Sequence, residues 1–74
     1  MKPLVEKLLL KEASLRKVQY DTEWFYYLED MALYLKEDLS EVEFIHLPMM
    51  IDGEVEYVRC STFEEILRGR KEYT

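Results

Sequence analysis

Cys60 and His46, each the sole residue of its type, are the side chains in this 74-residue chain best suited to covalent chemistry. A cysteine nucleophile needs an imidazole base within hydrogen-bond reach. The strong hairpin-turn dipeptide Asp52-Gly53 lies between the two, so they could approach each other across a ladder. A lone cysteine leading into a helix is more often a small buried residue, and that is the expectation for Cys60. One cysteine and one histidine also leave a tetrahedral zinc site short of ligands, so neither metal nor cofactor is expected. Carboxylates pair at Glu29 and Asp30, at Glu54 and Glu56, and at Glu64 and Glu65. Acid–base catalysis would need one member of a pair in surroundings that shift its affinity for protons. Asp30 and Glu64 fall where helices start and the others where solvated faces are expected, so the chain reads as non-enzymatic, with no catalytic residue.

Binding chemistry is the alternative. Trp24, Phe25, Tyr26 and Tyr27 form an unbroken aromatic run. Such rings can stack nucleic-acid bases, at about 1–3 kcal/mol per base, but stacking platforms sit in positive grooves. Here Asp21, Glu23, Glu29 and Asp30 flank the run, so Trp24, Phe25 and Tyr27 are expected to serve packing or contact with a protein partner. The cations that could hold phosphate or an acidic partner are Arg16 and Lys17, then Arg68, Arg70 and Lys71, the latter group near a helix end whose dipole suits them. They form a patch only if the two groups meet in space.

The elements that must position these residues can be read from periodicity. Leu4, Val5, Leu8 and Leu9 recur at helical spacing behind Pro3, predicting an amphipathic helix from Pro3 to about Ser14. Val18 and Tyr20 alternate with Lys17 and Gln19, Asp21 to Glu23 interrupt, and the aromatic run resumes, which predicts a β-hairpin. Trp24 and Tyr26 then lie on one face of its second strand, Phe25 and Tyr27 on the other. Asp30 is placed as the N-cap of a helix through Met31, Ala32 and Leu35 that fades near Lys36 to Asp38. A second hairpin runs from Val42 to Met50, turns at Asp52-Gly53 and returns through Val55, Tyr57 and Val58. Pro48, which cannot donate to a ladder, places its strand at a sheet edge or breaks it there. Ser61-Thr62-Phe63-Glu64 reads as a capping box with Ser61 as the cap, Phe63, Ile66 and Leu67 give the last helix its apolar side, and Gly69 is its stop. The fold class that follows is α+β: two β-hairpins forming a small antiparallel sheet with three short helices.

Composition bounds the rest. The chain is one domain, 1–74, near the lower size limit for a single unaided core, with 49% hydrophobic and 14% aromatic residues. Its net charge of −6 opposes autonomous binding to phosphate backbones. No internal disulfide can form, no leader pattern opens the chain, and no apolar run approaches the ~20 residues of a membrane span, so a cytoplasmic location without membrane contact is expected.

The order Arg16-Lys17-Val18, Glu23-Trp24-Phe25, Asp30-Met31, Leu47-Pro48, Asp52-Gly53, Cys60 and Glu65-Ile66-Leu67-Arg68 resembles the BRO N-terminal domain family, a module of phage antirepressor-type proteins. The resemblance covers residues 15–68, after the amphipathic helix of 1–14, and describes a short stand-alone version. It implies a regulatory role in transcription control through protein or DNA binding. The partner expected is a protein, or a second copy of the chain in a homodimer, with DNA the weaker alternative; a purely structural self-associating domain is the competing reading.

Overall fold

A computed structural model describes residues 5–70, which form α1 (Glu6–Lys11), β1 (Lys17–Tyr20), β2 (Glu23–Tyr27), α2 (Leu28–Leu35), β3 (Ile45–Ile51), β4 (Glu54–Thr62) and α3 (Phe63–Gly69). The four strands make one antiparallel, curled sheet in the order β1-β2-β4-β3. Both hairpins close through two-residue turns. Asp21 and Thr22 carry φ of 53° and 65°, and Asp52 and Gly53 carry 51° and 84°. Positive φ at both central positions gives a turn whose twist matches that of the flanking strands. Aspartate and glycine tolerate it readily. The β-branched Thr22 does not, so the first turn is held by its ladder rather than by local preference.

The two faces of the sheet are buried in different ways. On one face Tyr26 packs with Leu9 of α1, Leu28 and Met31 of α2, Ile66 of α3, and Leu15, Leu39 and Val42 from the connections. Tyr26, Met31 and Ile66 are fully buried, each withdrawal from water contributing roughly 1.5–3 kcal/mol. On the other face, among the described residues, the buried cluster contains strand residues and no helical ones. Phe25, Leu47, Met49, Val58 and Cys60 bury one another there, with Val18, Tyr27 and Ile51 at their margin. This second cluster draws on three neighbouring strands, Phe25 from β2, Val58 and Cys60 from β4, and Leu47 and Met49 from β3. The aromatic run therefore divides between the two cores as its alternation predicts, Tyr26 into the first and Phe25 and Tyr27 into the second.

Several boundaries differ from the sequence reading. Of the α1 prediction, Pro3 and Leu4 lie outside the described residues. The helix ends at Lys11 rather than Ser14, and only Leu9 is buried, while Leu8 is 58% exposed. α2 begins at Leu28, so Asp30 is not its N-cap: the cap position is Tyr27, without a side-chain bond. Asp30, in the first turn, accepts the backbone N–H of Arg16 at 3.0 Å and pairs with its guanidinium at 3.2 Å. Val42 is not a strand residue but a buried anchor of the connection before β3. The capping box sits one residue later than predicted. Thr62 accepts from the Glu65 N–H and Glu65 accepts from the Thr62 N–H, whereas Ser61 stays in β4 and its hydroxyl donates to the Glu43 carbonyl. Gly69 is the last helical residue and not a left-handed stop. A Cβ there would lie 2.7 Å from Val42 Cα, so glycine is required by close approach rather than by backbone conformation.

Candidate interaction surfaces

The register of the second hairpin separates the two groups best suited to covalent chemistry. Cys60 pairs with Ile45, and His46 pairs with Arg59. Neighbouring residues of a strand point to opposite faces. Cys60 is thus fully buried in the second core, where burial pushes its thiol up to about 11. His46 is on the other face, exposed, with its ring edge-on to Phe44 at 5.5 Å between centroids. Among the described residues no cluster of three or more acidic, histidine or cysteine side chains is placed to hold a metal ion.

The basic residues expected to bind phosphate are engaged elsewhere. Arg16 pairs with Asp30 and lies over the Tyr27 ring at 5.7 Å, and the Lys17 ammonium donates to the Glu12 carbonyl at 3.1 Å. Arg70 holds Glu37 through two guanidinium nitrogens, one at 2.8 Å, and this bond keeps the Glu37 carboxyl below its ordinary pKa. Arg68 is exposed beside Glu41, Glu43 and Glu65. Lys71 lies outside the described residues. Asp30 is in the first turn of α2 and Glu37 just past its end, so the two pairs are separated by most of the helix, roughly 10 Å at 1.5 Å per residue. Each of these four described cations thus has a carboxylate or carbonyl of this chain beside it, and Arg16 and Arg70 are held at opposite ends of α2.

The aromatics also settle into defined places. Phe25 is buried, with Tyr20 against it edge-on at 6.0 Å. The hydroxyl of half-buried Tyr27 donates to Glu29 at 3.0 Å; burial and this bond raise its pKa. Tyr26 likewise donates to Glu6 at 3.0 Å and is raised more strongly, again first by burial. Trp24 is 37% exposed and, with Phe63 and Leu67, lines a groove of about 640 Å³ that Glu6, Glu23 and Glu64 also border.

A surface not anticipated from the sequence lies on the second hairpin. Beyond Cys60, β4 has lost β2 as a neighbour, and β3 and β4 continue as a two-stranded ribbon. One face of that ribbon presents Pro48, Met50, Val55 and Tyr57 to solvent, the last three at 60, 61 and 71% exposure. The alternation Glu54-Val55-Glu56-Tyr57 suggests that valine and tyrosine face inward. Val58 and Cys60, of the opposite parity, are buried in the second core, while on the valine and tyrosine face β4 is buried only at Ser61, opposite Tyr26, and Val55 and Tyr57 lie beyond it. The break in alternation at Tyr57-Val58 was the available signal.

No family model matches the chain. Nor does any curated protein or solved structure. Among the described residues no helix is long and apolar enough to cross a membrane.

Proposed function

We propose that this chain is a small non-enzymatic regulatory module that works by binding another protein, in transcription control as its antirepressor-type resemblance implies. The observation that carries the protein-binding half of this reading is the ribbon face of Pro48, Met50, Val55 and Tyr57. It is a contiguous apolar surface on a chain small enough to need its large side chains for its own core. The order hairpin, helix, hairpin, helix across residues 17–69 supports the regulatory half, since it is the order the resemblance implies. A protein is favoured over DNA because Arg16, Lys17 and Arg70 already bond to groups of this chain and Arg68 stands among carboxylates.

The test compares the unmodified protein with a Met50→Ser, Val55→Ser, Tyr57→Ser variant in co-purification from the native host. The variant should keep its far-UV circular dichroism and lose a partner that the unmodified chain retains. Equal retention of every partner would overturn the reading. Duplex DNA titrated at low salt should show no saturable binding; binding that weakens steeply with added salt would restore the DNA version. A cytoplasmic location belongs to the same proposal and is checked by fractionation.

A further inference from the structure

We propose that the free edge of β4, from Glu54 to Val58, is a strand-acceptor site that takes an extended segment of alternating apolar and basic residues. This rests on the protein-binding reading above and specifies the partner's conformation and chemistry.

The hydrogen-bond phase of the ribbon follows from its turn. In a two-residue hairpin the flanking residues, here Ile51 and Glu54, exchange both backbone bonds, and bonded pairs then recur at every second position. Met49 with Glu56 and Leu47 with Val58 are therefore bonded pairs. The backbone groups of Met50, Pro48 and His46 point out of the β3 edge, and those of Val55, Tyr57 and Arg59 point out of the β4 edge.

The edges of the sheet are not equally protected. Strand β1 is only four residues long and begins at Lys17, two features that discourage strand addition. On β3 the central outward position is Pro48, which has no N–H to offer. Its strand thus keeps every bond to β4 while its outer edge is interrupted. β4 is neither short nor interrupted by proline, and its edge charges, Glu54 and Glu56, are of one sign, so they oppose an acidic strand and not a basic one. Its neighbour β2 leaves the sheet after Tyr27 and becomes α2, so among the described residues no strand pairs with β4 on the side away from β3 from Glu54 to Val58. A notch of about 260 Å³ opens at the inner end of this edge, lined by Tyr27, Glu29, His46 of β3 and Glu56 to Arg59 of β4. A strand added here would continue the line of β2.

Side chains specify the occupant. Val55 and Tyr57 are exposed on one face of the edge, Glu54 and Glu56 on the other, and no lysine or arginine occurs between Lys36 and Arg59. Directly opposed residues of neighbouring strands interact, so the complement is apolar against Val55 and Tyr57 and basic against Glu54 and Glu56. A second copy fits less well. Each copy is acidic, and twofold pairing about Tyr57 makes the two Glu56 side chains diagonal neighbours on one face with no cation between them.

The probe is a short capped peptide of alternating lysine and valine, titrated into the isotope-labelled full chain and followed by amide spectra and hydrogen exchange. The outward amides of Val55 and Tyr57 should exchange at least about tenfold more slowly with peptide bound, while the His46 and Met50 amides on the guarded edge stay unchanged. Glu54→Lys with Glu56→Lys should weaken binding about tenfold, and a glutamate–valine peptide should not bind. Val55→Pro should abolish the protection of Tyr57; because that variant can misfold, the exchange data on the unmodified chain decide. Unchanged exchange at Val55 and Tyr57 would overturn strand addition. If the serine variants still lose their cellular partner, the binding face survives and only its strand mode fails. Protection that grows with protein concentration without peptide would overturn the basic-segment partner in favour of self-pairing.

Discussion

Gly69→Ala tests how the last helix is held against the connection before β3, and two effects of opposite sign compete in it. Alanine is favoured over glycine in a helix interior by about 1 kcal/mol, and by less at the final residue. Against that gain, the new methyl would sit 2.7 Å from Val42 Cα, 2.8 Å from its Cγ2 and 3.2 Å from its Cβ. The first contact is to backbone, so it cannot be relieved by a rotamer change. The helix end or the connection must move, and Val42 is a buried member of the main core. Overpacking of this kind costs about 1–3 kcal/mol. The net expectation is a loss of about 1–2 kcal/mol, which in a domain of this size lowers the melting temperature by roughly 5–15 °C. Thermal and urea unfolding followed by far-UV circular dichroism and Trp24 fluorescence would measure it. Adding Val42→Ala removes the Cγ2 contact but not the one to Cα, so the double variant should recover only part of the coupling. A Gly69→Ala protein as stable as the unmodified chain, or full recovery by Val42→Ala, would refute close backbone approach as the reason for this glycine.

Thr62→Ala removes the hydroxyl of the capping box and should lower stability by about 1 kcal/mol in urea unfolding; no change would mean the box is not formed in solution. Burial pushes the Cys60 thiol up to about 11, so at pH 8 roughly one thiol in a thousand is ionised, and alkylation should be slow until denaturant is added. The same rise makes the contribution of Cys60 to stability fully present below about pH 9 and lost as pH climbs through about 11. Glu37 has the opposite sign. Its folded pKa is depressed by Arg70, so its stabilisation is present above the ordinary carboxylate range and lost as pH falls, and Glu37→Gln should flatten the acid side of a stability–pH curve. Pro48→Val restores an outward N–H to the β3 edge and should produce concentration-dependent association in sedimentation experiments; an unchanged sedimentation profile would show that proline is not the guard.

Much of this protein could be read from its sequence because the deciding signals are local. Asp52-Gly53 and the interruption at Asp21 to Glu23 set the hairpins, the aromatic alternation assigned Tyr26 and Phe25 to different faces, and Pro48 marked an edge. Each depends on backbone preferences or on a two-residue period, which neighbours in the chain determine. Tertiary structure decided what depends on residues far apart. Asp30 looked like a cap until the fold delivered Arg16 to it; Gly69 looked like a helix stop until Val42 arrived beside it. Val55 and Tyr57 share a face of β4 with the buried Ser61, and their exposure was decided by their lying beyond the stretch that pairs with β2. The free edge of β4 is more distant still from any local pattern. It exists because β2 turns into a helix at Leu28, some thirty residues before the strand it abandons.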